Sequence, residues 1–320
     1  MNVDVSTVPR PAARLDPRGL AEAATAMFLV GTLAGVAGMI KDYPVYGGQA
    51  LRHLLAAAVL LVVARVMGLR FVRLTPRETA LLAALSLTGL VIFNVCLIEA
   101  TRHGGPALVG TVLGTVPLAL ALLGGRPSPR LLGAAVLVAA GATVAAGLGS
   151  GDLTGLLWSL GALGCELCFS LLAIPLLPKL GAVRVSAYSV TLAVPLLVVT
   201  GLLVDGTAMF RAPTAPEAAG LGYQALVVTA AAFFLWYDAL PRLGPGRAGL
   251  FAGLIPVGAI VTGVVLGLGA PSAPDLIGAA LVVTGIVAGL SSAGSSAAGA
   301  PRPAGAGRAV AGGSRPAGSG

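Results

Sequence analysis

Residues 185–204 read VSAYSVTLAVPLLVVTGLLV, a run without a single charge. As a helix it is about 30 Å long, the thickness of a bilayer's hydrocarbon core, and in lipid a helix satisfies its own backbone polar groups. Similar stretches lie at 19–40, 47–67, 79–98, 106–123, 131–148 and 153–177 before it, and at 219–239, 248–268 and 276–290 after it. With 57% hydrophobic and 10% charged residues, the 320-residue chain has too little polar surface for a water-soluble globule. The expected fold is an all-α integral membrane protein with ten transmembrane helices. The stretch at 47–67 is the least regular, because Gln49, Arg52 and His53 interrupt its start.

The basic residues orient the chain. Of the twenty, only Lys41, Arg52, Arg102 and Arg211 fall on one side; the others sit in the N-terminal arm, the even-numbered loops and the tail. By the positive-inside rule both termini are cytoplasmic, as an even number of spans requires. The net charge of +8 thus reads as topogenic. It does not read as nucleic-acid binding, because the charges are spread over short loops and not gathered on one face.

Residues 1–18 form a cytoplasmic arm without a clear cleavage site, so the first helix is expected to stay as an uncleaved anchor. From 293 to 320 the chain is almost entirely Gly, Ala, Ser, Pro and Arg, which reads as a disordered cytoplasmic tail. Cys96, Cys165 and Cys168 lie inside spans, which argues against a disulfide framework. Cys165 and Cys168 flank Glu166, but no second cluster supplies the other ligands of a metal, and no cofactor is expected.

A shift of 139 residues lays Gly105, Pro106, Gly110, Gly114 and Pro117 onto Gly244, Pro245, Gly249, Gly253 and Pro256. It also sets Glu99 opposite Asp238. A slightly larger shift sets Gly133-Ala134-Ala135 opposite Gly278-Ala279-Ala280. The repeat is therefore five helices long, covering 19–149 and 150–292. An odd number of spans makes the second copy enter the membrane from the other side, which gives two inverted five-helix repeats, an arrangement common in secondary transporters.

On these residues the chain resembles the ten-helix drug/metabolite transporter superfamily, the EamA-type exporters, over about residues 19–290. The matching stretches are Trp236-Tyr237-Asp238-Ala239-Leu240, Gly246-Arg247-Ala248 and Leu254-Ile255-Pro256-Val257. With them go the copy ending at Val116-Pro117, Leu51-Arg52 at the start of helix 2, and Gly278 with Gly285. The resemblance implies an inner-membrane exporter of small metabolites working by alternating access. In one respect the chain departs from it: the family often carries Gly-Glu after its fourth and ninth helices, where this chain has Gly124-Gly125-Arg126 and Gly267-Leu268-Gly269. Any role of that glutamate does not carry over.

Glu166 is the only carboxylate deep within a span, about 20 Å along the sixth helix. An ionised acid there costs at least a few kcal/mol, so it should be protonated when dry, paired with a cation, or facing a wet cavity. Each suits a transport path; the alternative is a neutral Glu locking helix packing. Arg52, His53, Glu99, Arg102 and His103 are expected to gather near the outer mouth, with Arg52 and Glu99 pairing across two helices. They would form a gate or a seat for a zwitterionic head group, or else a snorkelling cluster with pairing inside one helix. Asp238 and Arg242 are the cytoplasmic analogue. Pro117 and Pro256 should bend helices 4 and 9 and free carbonyls for a substrate, or bend them for packing alone. Trp236 and Tyr237 either line a site for flat substrates or belong to an interfacial belt. Gly244-Pro245-Gly246-Arg247-Ala248-Gly249 matches the dinucleotide fingerprint by letter, but no strand precedes it. No phosphate loop is present, since the only lysines are Lys41 and Lys179.

The sequence thus points to a proton-coupled exporter of amino acids or related amphipathic compounds, not an enzyme, monomeric or homodimeric, with a small-molecule substrate, protons and the bilayer as partners. The Arg-rich, Lys-poor, Ala- and Gly-rich composition suggests a bacterium with GC-rich coding, and the resemblance implies its inner membrane. The competing classes are an intramembrane enzyme on a lipid-soluble substrate, for which Glu166 lacks an evident catalytic partner, and a non-transporting scaffold.

Overall fold

The computed structural model describes residues 16–125, 127–147, 153–267 and 270–298, and no strand occurs among them. The helices are α1 (Pro17–Gly31, continued by the short pieces Leu33–Val36 and Ala37–Ile40), α2 (Val45–Val66), α3 (Pro76–Gly105), α4 (Leu108–Leu123), α5 (Pro129–Ala146), α6 (Leu153–Leu171), α7 (Leu177–Val204), α8 (Ala215–Leu243), α9 (Pro245–Val265) and α10 (Ala273–Ala298). Eight of these are long and apolar enough to cross a membrane. The chain is a multi-pass helical protein. The other two are the broken α1 and the short α4, where the sequence reading placed its first and fourth spans.

Local chemistry sets the boundaries. Thr75 accepts from the Glu78 N–H at 3.3 Å while Glu78 accepts from the Thr75 N–H at 2.7 Å, a reciprocal cap that starts α3. Glu217 accepts from the Thr214 N–H at 2.7 Å at the start of α8. Pro76 and Pro216 fill first-turn positions whose N–H groups have no helical partner. Gly105 (φ 70°, ψ 166°) separates α3 from α4 and Gly244 (φ 74°, ψ 157°) separates α8 from α9, each in the left-handed region that a side chain resists. Both long helices widen into a π-helical stretch, Leu87–Ile92 in α3 and Gln224–Ala231 in α8. α10 runs on to Ala298, past the 293 boundary read for the tail, because residues 291–298 are Ala- and Ser-rich and alanine is the best helix former. The remainder of the tail, and residues 1–15 of the arm, lie outside the described residues.

The main helix pairings join the two halves of the chain: α5 packs on α10, α2 on α7, α3 on α6, α4 on α9, and α1 on both α8 and α9. Backbones meet where side chains are small. A methyl at Gly141 would stand 2.8 Å from the Gly278 carbonyl, and one at Gly155 would stand 2.7 Å from Gly104 Cα. The outward surface is apolar, with Leu54, Val62, Leu157, Leu203 and Val287 exposed. On a soluble protein this would be an aggregation surface; on a membrane protein it is the lipid face.

One contact from a loop fixes α2. Asp205 Oδ2 accepts from the Tyr46 and Gly47 N–H groups, both at 2.9 Å, capping the helix from the far end of α7. Asp205→Ala should cost about 1–2 kcal/mol, the usual worth of a lost helix cap, and Asp205→Asn much less. Thermal unfolding of the purified protein checks this.

Candidate functional site

α6 presents a stripe spaced four and three residues apart: Gly155, Ser159, Ala162, Glu166, Phe169. All are buried except Glu166, which is half-buried. Glu166 thus keeps some accessible surface on a face that is otherwise packed. Glu166 makes no ion pair or hydrogen bond with the described residues. The backbone or hydroxyl bond that a purely structural Glu would make is therefore not seen among them. Tyr237 of α8 lies within electrostatic reach of its carboxylate.

Trp236 and Tyr237 are 2% and 0% exposed, so they belong to the protein interior, and the interfacial-belt reading is corrected. The Tyr237 ring packs 5.0 Å from Phe169 and its hydroxyl donates to the Phe169 carbonyl at 3.4 Å, while Phe233 completes the cluster. Trp236 Nε1, Gln224 Oε1, Ser170 Oγ and Ser186 Oγ are buried without a hydrogen-bond partner among the described residues. Orphaned polar atoms at such depth are uncommon and call for an explanation. Three helices, α6, α7 and α8, contribute them.

The expected outer cluster splits in two. Glu99 pairs with Arg102 at 2.7 Å and lies 3.8 Å from His103, the pairing within one helix, and Tyr46 at the start of α2 is its electrostatic neighbour. Arg52 does not join it. Instead Arg52 is 8% exposed and donates to Thr229 Oγ1 at 2.6 Å and to Gln49 Oε1 at 3.2 Å. The Arg52–Glu99 pair is thus replaced by neutral contacts, because Arg52 sits almost two turns inside α2 and turns toward the π-helical stretch of α8. His53 is buried with Nδ1 2.8 Å from the Gln49 carbonyl.

Near the chain's start the Asp238–Arg242 pair forms at 3.0 Å but is part of a larger network that the sequence reading missed. Arg18 joins Glu22 at 2.7 Å and Asp238 at 3.0 Å, and Arg242 joins Asp16 at 3.0 Å. The Arg242 hydrogen bond holds the Asp16 carboxyl below its ordinary range. The Arg18–Glu22 spacing of four was visible in the sequence; the tie to α8 was not. Thr32 adds a further link between α1 and α8, 2.7 Å from the Tyr223 hydroxyl.

Pro117 and Pro256 do not interrupt regular helix as expected. α4 breaks at Gly114–Thr115 and restarts at Val116, and α9 tightens into a 3-10 turn at Phe251–Gly253 and restarts at Leu254. Each proline therefore stands in the first turn of a new segment, where its missing N–H leaves no gap. A cavity of about 180 Å³ opens at the foot of α4 between Gly124, Pro127, Leu131, Gly244 and Arg247. It touches none of Arg52, Glu99, Pro117, Glu166, Trp236, Tyr237 and Pro256. Among the described residues no group of three or more His, Cys, Asp or Glu is placed to hold a metal ion.

No protein-family model matches the chain. It is 28% identical over 259 residues to the uncharacterized transporter YetK of Bacillus subtilis (strain 168), a match covering 76% of this chain and 78% of that protein. It also superimposes on a protein of known crystal structure with a TM-score of 0.74 at 22% identity, over 86% of this chain and 98% of that one. This likeness concerns the fold alone.

Proposed function

We propose that the chain is a secondary transporter that exports small metabolites, amino acids or related amphipathic compounds, by alternating access, and that protons drive it through Glu166. In this reading ten spans form two inverted five-helix repeats of the EamA type in a bacterial inner membrane. The observation that carries it is the recurrence of irregular backbone at the 139-residue shift. Thr75–Glu78 and Thr214–Glu217 open α3 and α8 alike. The two π-helical stretches end at the shifted positions Ile92 and Ala231, and Gly105 and Gly244 break the chain with the same dihedral angles. Regular helices recur everywhere, whereas capped, widened and broken stretches that recur in register support a duplication. Duplicated halves that interleave around interior polar groups are what a rocking carrier needs. The similarity to a protein named as a transporter supports the same reading.

Pro117 and Pro256 fit as the restart points at which α4 and α9 change direction, with Trp236 and Tyr237 as interior walls. The ion network of α1 and α8 would close the cytoplasmic side, and Glu99 with Arg102 the outer side. The test is flux of a mixed amino-acid and metabolite panel in proteoliposomes under an imposed pH gradient. Uptake of at least one class that collapses on adding a protonophore is expected. Folded, inserted protein that moves none of the panel would overturn the reading.

A further inference from the structure

We infer that Arg52 is the seat for a carboxylate of the transported solute, with Gln224 beside it to accept a hydrogen bond from a neighbouring N–H or ammonium group. This rests on the transporter reading and narrows its substrate class to small organic acids, amino acids first.

The inference comes from charge. Arg52 is an always-charged group inside a span, and its contacts with the described residues, Thr229 and Gln49, are neutral. Neutral hydrogen bonds orient a guanidinium but do not balance it, and a buried charge without a counter-ion is costly. The chain's described acids are engaged elsewhere or distant. Glu99 is held by Arg102, Asp205 caps α2, Glu217 is bound by Arg211, Glu78 by Lys179, and Asp16, Glu22 and Asp238 belong to the α1–α8 network. Asp42 lies in the exposed turn before α2, and Asp275 in the first turn of α10 accepts from Ser272. Glu166 stands against Tyr237, eight residues beyond Thr229 and so about 12 Å further along α8 by helical rise. A solute is left to supply the anion.

The second observation is the orphaned acceptor. Gln224, 1% exposed, heads the π-helical stretch that carries Thr229 five residues later. Five is the hydrogen-bond repeat of a π-helix, so the two side chains leave the same face, one turn apart, and this stretch packs on α2. Gln224 Oε1 has no hydrogen-bond partner among the described residues. A cation with spare forked donors next to an unused acceptor matches a carboxylate flanked by a donor, which is the head group of an amino acid.

The experiment reads binding by the thermal shift of the full-length protein in detergent. The probes are the proteinogenic amino acids and three- to six-carbon hydroxy and keto acids, each beside its methyl ester. At least one acid should raise the melting temperature while its ester does not. Arg52→Gln should lose that difference, and Arg52→Lys, which keeps the charge but not the fork, should weaken binding about tenfold. Gln224→Leu should weaken amino acids and spare the matching acids that lack the amino group. Equal effects of acids and esters, no stabilising acid at all, or discrimination surviving in Arg52→Gln would overturn the proposal. If Arg52→Gln does not fold, the wild-type comparison and Arg52→Lys still decide. Acid-selective binding without any flux would remove the transport reading and leave this site; flux confined to solutes without a carboxylate would do the reverse.

Discussion

Glu166→Gln is expected to reduce pH-gradient-driven flux about 100-fold, which at about 1.4 kcal/mol per tenfold is a loss of roughly 2.8 kcal/mol. Gln has the shape and hydrogen-bonding reach of a protonated Glu, so packing along the Gly155–Ser159–Ala162–Phe169 stripe should survive. What it lacks is a proton to give up. In a coupled carrier that proton must leave when the site meets one aqueous phase and return from the other, and a carboxylate without an ion-pair partner among the described residues, on a packed face yet partly accessible, is free to do this. Solute exchange at equal pH on both sides should therefore persist in the variant while accumulation stops. Glu166→Asp, one methylene shorter, should retain part of the coupling. If Glu166→Gln accumulates solute as the wild type does, Glu166 is a packing residue and the proton path lies elsewhere.

How much of this could be read beforehand follows from which interactions are local. Span positions follow from hydropathy alone, and α2 and α5 lie within two residues of their expected ranges, whereas α6 ends six residues short and α7 starts eight residues early. The Gly-Pro breaks were legible because Gly105 and Gly244 need a backbone conformation that only glycine takes cheaply. The Asp238–Arg242 and Glu99–Arg102 pairs were legible because three- and four-residue spacings place side chains on one helix face. The partner of Arg52 was not. It depends on which helix packs against α2 and on the extra residue that a π-helical stretch inserts, and that insertion rotates Gln224 and Thr229 relative to an ideal α-helical count. For the same reason the sequence left Trp236 and Tyr237 between a substrate site and an interfacial belt, although they fill the interior: hydropathy gives depth along a helix, whereas facing is set by neighbours that lie far away in the chain.

Those neighbours also make glycine substitutions unequal, and the largest stability effect should come from Gly31. A β-carbon built there runs into the Ile255 carbonyl and stands 3.0 Å from Gly258 Cα, while one at Gly258 meets the Phe28 carbonyl. All three obstacles are backbone, which cannot rotate away as a side chain does, so Gly31→Leu must push α1 off α9. Overpacking of this kind costs typically about 1–3 kcal/mol, and a backbone clash belongs at or above the top of that range. Gly31→Ala should already be harmful, because the β-carbon itself is what clashes. The controls are Gly133 and Gly164, exposed positions of α5 and α6 where an added β-carbon meets nothing within 4 Å. Ala at either should be neutral or stabilising by up to about 1 kcal/mol, the helix-propensity gain over Gly. Melting temperatures of the four alanine and leucine variants in one detergent make the comparison. The Gly31–Gly258 crossing sits where α1 ends at Thr32 and where α9 has just restarted, so a large loss would mark it as a fixed axis about which the outer parts of both helices move. A melting temperature unchanged by Gly31→Leu would mean instead that α1 and α9 separate readily, and that the crossing is itself one of the surfaces that opens during transport.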